Sequence, residues 1–212
     1  MDRLGSLASE RRKVLFLPGA GGSPEYWRPV AKLLPEAWDK VFLGWPGLGD
    51  QPHQPDISSI DDLVRRVEVM IDGPVDLVAQ SMGGVIAARI ALARPEAVRR
   101  LVLVATSAGV NMAQYGASDW RADYRREFPG AADWITHHSA SAELPVELIA
   151  APSLLIWGDC DPISPVAVGR ALESRMPNAR LQIVLRGDHG LAREQAELVA
   201  ELIARHLSQT NR

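Results

Sequence analysis

The sequence predicts an α/β fold: a mostly parallel central sheet of about six strands, helices on both of its faces, and a small helical insertion. Three observations carry this. Short apolar, β-rich runs recur at 14–17, 41–43, 75–79, 101–105, 154–157 and 181–185. They are near-continuous rather than alternating, as strands buried on both faces must be. Helical patterns separate most of them, and strands alternating with helices imply right-handed crossovers in a parallel sheet.

In chain order, the run at 14–17 leads into a glycine-rich turn, Pro18-Gly19-Ala20-Gly21-Gly22. The run at 41–43 leads into a second, Gly44-Trp45-Pro46-Gly47-Leu48-Gly49-Asp50. After Ser58-Ser59, the residues Ile60, Leu63, Val64, Val67 and Ile71 share one helical face. Asp61 and Asp62 fall in that helix's first turn, where its dipole favours negative charge, and Gly73-Pro74 stops it. Residues 82–93 are helical, with Gly83, Gly84, Ala87, Ala88 and Ala91 permitting close packing on a sheet and Pro95 just beyond. A last helix over 191–207 has Leu191, Leu198, Val199, Leu202 and Ile203 among its apolar positions. One stretch breaks the rhythm. Residues 111–148 hold Tyr115, Trp120, Tyr124, Phe128, Trp134, His137 and His138, and are too long and too aromatic for a simple loop. The chain therefore divides into a core over 1–110, a small lid insertion over 111–148, and the rest of the core over 149–212.

Composition excludes several classes. A chain of 212 residues buries enough apolar surface to need no disulfide or metal staple. A net charge of -3 gives no basic surplus for general nucleic-acid binding. The single cysteine, Cys160, excludes an internal disulfide and zinc sites of the CxxC type. The start MDRLGSLASERRK has no apolar core of a signal peptide, and no stretch approaches a membrane span. These features predict a cytoplasmic protein whose partner is a small molecule rather than nucleic acid or membrane.

The chemistry concentrates in Val78-Ala79-Gln80-Ser81-Met82-Gly83-Gly84, which follows one strand directly and opens a helix. A strand–tight turn–helix places Ser81 at an exposed, strained apex. Small residues two before and two after the serine let strand and helix nearly touch, and Ala79 and Gly83 fill those positions. A serine N-cap in a glycine-rich turn reads the same way locally. A serine hydroxyl needs a base, and the base an orienting acid. Downstream, Trp157-Gly158-Asp159-Cys160-Asp161-Pro162 and Arg186-Gly187-Asp188-His189-Gly190 each follow a strand. Both lie at the carboxyl edge of the sheet, where open parallel sheets bind ligands. The glycine-rich turn after the first strand has a rival reading as a dinucleotide cradle. It lacks the third glycine, and no acidic residue follows at the next strand end.

In these motifs, in the order Ser, Asp, His, the sequence resembles the α/β-hydrolase family over nearly its whole length. The resemblance implies Ser81 as nucleophile, His189 as general base and Asp161 as the acid holding the imidazole. Asp161 lies three residues past the glycine that ends its strand, the family's usual spacing; Asp159 then reads as a turn former and Asp188 as a loop residue. Ala79 departs from the family's usual glycine by one methyl group. The resemblance implies an oxyanion hole from the Met82 and Ala20 N–H groups, with Pro18 where relatives often carry histidine. No metal or organic cofactor is implied. Trp27 and Trp45, and Tyr115, Trp120 and Trp134 of the insertion, are candidates for the substrate pocket, with core or rim packing the equal alternative for Trp27 and Trp45. His53, His137, His138 and His206 read as solvated or surface residues, and Cys160 as a turn residue. The implied activity is hydrolysis of a small-molecule ester or thioester through an acyl-serine. C–C bond hydrolysis, a lyase reaction and acyl transfer use similar triads, and a non-catalytic ligand-binding protein of the same fold is the alternative from another class.

Overall fold

The computed structural model describes residues 12–137 and 143–209. Its strands are β1 (Lys13–Leu17), β2 (Asp39–Phe42), β3 (Val75–Gln80), β4 (Val98–Val104), β5 (Ser153–Gly158) and β6 (Ala179–Val184). Its helices are α1 (Arg28–Ala31), α2 (Ile60–Glu68), α3 (Met82–Ala93), α4 (Arg121–Glu127), α5 (Trp134–His137), α6 (Val166–Arg175), α7 (Leu191–Glu194) and α8 (Ala196–Leu207). The six strands form one sheet in the order β2-β1-β3-β4-β5-β6. Every neighbouring pair is parallel. The order in which successive strands are added reverses between β1 and β3. At such a switch point the connections leave toward opposite faces and open a crevice at the strands' carboxyl ends.

Burial follows from position. Every residue of β3 and β5 is buried, whereas edge strands β2 and β6 are mostly half-buried or exposed. Side chains alternate between two cores, as the pleat demands. Leu15, Leu77, Leu103 and Leu155 pack with α2, α3 and α6 residues such as Leu63, Ile86 and Leu172. Val14, Phe16, Val78, Val102 and Ile156 pack on the opposite face with Val30 of α1 and Val199 and Ile203 of α8. The Ser59 side chain caps α2 by accepting from the Asp62 N–H, and Ile60, Leu63, Val64 and Val67 are buried on the face the sequence predicts.

Two local expectations change. The last helix is divided by Gln195, whose backbone (φ -119°, ψ 45°) is not helical and whose amide donates to the Leu185 carbonyl at 3.2 Å. The segment between β1 and β2 carries a 3-10 turn, Pro24–Trp27, running into α1, which apolar periodicity over so few residues does not reveal. The insertion between β4 and β5 contains 3-10 turns at Met112–Tyr115 and Val146–Leu148 besides α4 and α5. His138 lies outside the described residues. Among the described residues, no helix is long and apolar enough to cross a membrane.

Candidate active site

Four chain segments converge at the carboxyl edge. The first is the β3–α3 turn. Ser81 sits there with φ 52° and ψ -123°, a conformation that costs a non-glycine residue about 1–3 kcal/mol. Hydrogen bonds hold it in place: its N–H donates to the Val104 carbonyl at 3.0 Å, and its carbonyl accepts from Thr106 Oγ1 at 2.6 Å and the Gly84 N–H at 2.9 Å. Gly83 is required by close approach, since a Cβ there would lie 2.4 Å from the Pro18 carbonyl oxygen. The sequence rule of small residues around the serine is thus a packing rule, satisfied by Gly83 on the helix and Ala79 in the strand.

The second and third segments follow β5 and β6 and are joined to each other. Gly158 lies against Gly187, where a Cβ would meet the Gly187 oxygen at 2.2 Å, and the Cys160 N–H donates to that same oxygen at 2.8 Å. This contact brings Asp161 to His189. His189 Nδ1 is 2.8 Å from Asp161 Oδ2, and His189 Nε2 is 3.0 Å from Ser81 Oγ. An ionised carboxylate only accepts, so Nδ1 carries the proton and Nε2 is left to accept from the serine hydroxyl. Asp161 is 5% exposed, and its second oxygen accepts from the Ile163 and Ser164 N–H groups at 2.8 and 3.0 Å. Asp159 is exposed and Asp188 accepts from the Gly190 N–H, so neither competes for the imidazole. Gln80 braces the histidine loop, its amide donating to the His189 carbonyl at 3.2 Å.

The fourth segment is the loop after β1. Its Ala20 lines the same cavity as Ser81 and Met82. Among the described residues, the Ala20 and Met82 N–H groups have no protein acceptor. Met82 is the first residue of α3, so its free N–H belongs to the positive end of a 12-residue helix.

The cavity holds about 1070 Å³ and is lined on one side by Ser81, His189 and the glycine-rich loop, on the other by Met112, Trp120, Phe128 and Ile135 of the insertion. Trp120 is therefore where the aromatic composition suggested. The other four aromatic expectations are corrected. Trp27 and Trp45 are 1% and 0% exposed, and their indole N–H groups donate to the Leu17 and Pro18 carbonyls at 3.0 and 2.8 Å. They fill the core beneath the loop after β1 rather than facing the cavity. Tyr115 and Trp134 pack against the core from the insertion without lining the cavity. Sequence reasoning did not single out Gln80, Thr106, Ser164 or Tyr124, whose roles rest on contacts between segments far apart in the chain. Tyr26 was also missed: its hydroxyl is buried without a hydrogen-bond partner, and burial pushes its pKa up.

An open parallel sheet with a strained serine, a histidine and a buried aspartate at its switch-point edge defines a protein of the α/β-hydrolase class. The family model described as "Alpha/beta hydrolase family" matches residues 14–147, and the chain belongs to that family. The expectation of a hydrolase is met. Among curated relatives, the pimeloyl-[acyl-carrier protein] methyl ester esterase of Neisseria meningitidis serogroup C is 25% identical, over 93% of this chain and 94% of the relative. The poly(3-hydroxyalkanoate) depolymerase of Ectopseudomonas oleovorans is 25% identical, over 92% of this chain and 84% of the relative. Among solved structures, a hydrolase from Pseudomonas aeruginosa PA01 superposes with a TM-score of 0.77 at 18% identity, covering 95% of this chain and 92% of that one. A meta-cleavage product hydrolase from Pseudomonas fluorescens IP01 gives a TM-score of 0.75 at 19% identity, covering 94% and 92%. These two share the fold.

Proposed function

We propose that the protein hydrolyses a carboxylic ester or thioester of a small molecule through an acyl-serine intermediate, with Ser81, His189 and Asp161 as its triad. One observation carries the reading: Ser81 Oγ, both nitrogens of His189 and Asp161 form one unbroken hydrogen-bonded line in an open cavity. The esterase named among the relatives supports the ester bond as target.

In the first step His189 Nε2 takes the Ser81 proton as Oγ attacks the carbonyl carbon. The carbonyl π pair moves to oxygen, and the Ala20 and Met82 N–H groups hold the resulting anion. Asp161 keeps the imidazole oriented and stabilises its charged form. Collapse breaks the bond to the leaving alcohol or thiol, which receives the proton from His189. A water then gives its proton to His189 and attacks the acyl carbon, releasing the acid and restoring Ser81. No step changes an oxidation state, so no redox cofactor is assigned. The apolar side chains of the insertion, acting as a lid, suit an aliphatic or aromatic acyl group.

The test is an ester and thioester panel of graded acyl length, run on wild type and Ser81→Ala. The expected result is turnover in wild type with a chain-length optimum, and loss of turnover in the variant. Equal hydrolysis by both would refute the mechanism; binding of the panel without turnover by wild type would make the protein a ligand-binding relative.

A further inference from the structure

The loop that supplies the Ala20 N–H is glycine-rich, and its conformation is fixed from outside. Two successive peptide units meet at Ala20. In the first, Gly19–Ala20, the carbonyl accepts from the Gly22 N–H at 3.0 Å, which turns the trans-opposed Ala20 N–H away from that turn. In the second, Ala20–Gly21, the carbonyl accepts from the Tyr124 hydroxyl at 2.9 Å. That hydroxyl in turn accepts from the Gly49 N–H at 2.9 Å. A phenol has one proton, so accepting from Gly49 commits it to Ala20.

The Ala20 carbonyl and the Ala20 N–H lie on the two peptide units that meet at one Cα, so pinning the carbonyl fixes the place of the residue that carries the donor. Tyr124 belongs to α4 of the insertion, 104 residues from Ala20. Its ring is held between Trp120 and Phe128, at centroid distances of 5.4 and 5.2 Å. The insertion is joined to the same region by the Ala132 N–H donating to the Gly47 carbonyl at 2.7 Å.

We propose that Tyr124 is a positioning residue: seated on α4, its hydroxyl ties the Ala20 carbonyl to the Gly49 N–H and so fixes the place of the loop whose Ala20 N–H receives the oxyanion, and the reaction depends on how the insertion is docked. This rests on the Ser81 mechanism proposed above. It assigns the insertion a part in the chemical step as well as in shaping the pocket.

The experiment compares wild type, Ser81→Ala, Tyr124→Phe and Arg125→Leu on the best ester of the panel. Tyr124→Phe keeps the ring and removes only the bridging oxygen. Because a fully lost oxyanion donor costs about 10²–10³ in kcat, a misaligned one is expected to lower kcat roughly 10- to 100-fold, with KM within about twofold. Arg125→Leu removes the Arg125–Thr136 hydrogen bonds (2.6 and 3.0 Å) inside the insertion without touching the hydroxyl bridge, and is expected to keep kcat within about twofold. Unchanged kcat in folded Tyr124→Phe, a loss confined to KM, or an equal kcat loss in Arg125→Leu would each overturn the proposal. If Ser81→Ala retains activity, the mechanism itself fails instead. Should Tyr124→Phe not fold, 3,5-difluorotyrosine at position 124 gives the same reading, because its hydroxyl ionises at lower pH. Its kcat should then fall, relative to wild type, as pH rises through that ionisation while KM stays constant; a profile identical to wild type contradicts the bridge.

Discussion

The two ends of the sheet use the same residue types for opposite purposes. At the carboxyl edge, Asp161 and His189 share a hydrogen bond beside an open cavity. At the amino edge, Asp76 is fully buried in β3, paired with Arg12 at 2.6 Å and Arg99 at 3.2 Å. His206 of α8, expected at the surface from its place near the helix end, is instead 2% exposed there, with Nε2 3.2 Å from the Pro152 carbonyl. Burial raises the Asp76 carboxyl above the ordinary range against the pull of its arginines, and burial lowers His206 to about 4. A buried, perturbed aspartate or histidine is therefore no guide to catalysis by itself. The carboxyl edge differs in having a strained serine within reach, free N–H groups and access for a ligand.

Breaking the carboxyl edge should have the largest effect on rate and the smallest on stability. Ser81→Ala and His189→Ala are each expected to lower kcat by about 10³–10⁶ with little change in thermal midpoint, read by turnover and calorimetry on the same samples. Asp161→Asn should cost about 10³–10⁴ in kcat, because an amide in that place favours the wrong imidazole tautomer. Breaking the amino edge should do the reverse. Asp76→Ala leaves Arg12 and Arg99 without their anion. Both arginines retain some exposure, so a destabilisation of about 2–3 kcal/mol by urea titration is expected, below the range for a wholly buried pair, with kcat of the folded fraction unchanged.

The last effect is one of pH, and at neutral pH it leaves the protein unchanged. His206 is held neutral in the fold, with a pKa lowered from 6.5 to about 4. Its contribution is present in full above pH 6.5 and is lost as pH falls toward the folded value, amounting to about 3 kcal/mol when complete. Asp76, raised by burial, runs the other way and gains as pH falls. The two are separated by comparing wild type with His206→Leu. Wild type should lose stability more steeply than the variant between about pH 6.5 and 4. Parallel curves would remove His206 from the account.

Legibility in sequence follows the same division. The strands of the sheet are written in contiguous apolar runs, and each was visible to within a few residues. The elbow was visible because its constraint is local: Gly83 and Ala79 stand within two residues of Ser81. Asp161 and His189 could be placed because each follows a strand end, and parallel strands deliver their ends to one edge. Sequence leaves Trp27 and Trp45 between pocket and core because aromaticity near a loop does not say which side of the loop the ring fills. Their indole N–H bonds to Leu17 and Pro18, like the Tyr124 bridge, join segments that only the folded chain brings together. The break at Gln195 was hidden for the converse reason: the apolar pattern continues through it.

The central claim is that Ser81 is the nucleophile because the fold at the carboxyl edge activates it. The most direct measurement is mass spectrometry of the folded protein after reaction with a fluorophosphonate probe, beside a heat-denatured sample and His189→Ala. A single phosphonyl adduct is expected on Ser81, absent from the denatured sample and slowed in His189→Ala. No adduct on Ser81 in the folded protein would contradict it, as would labelling that survives denaturation.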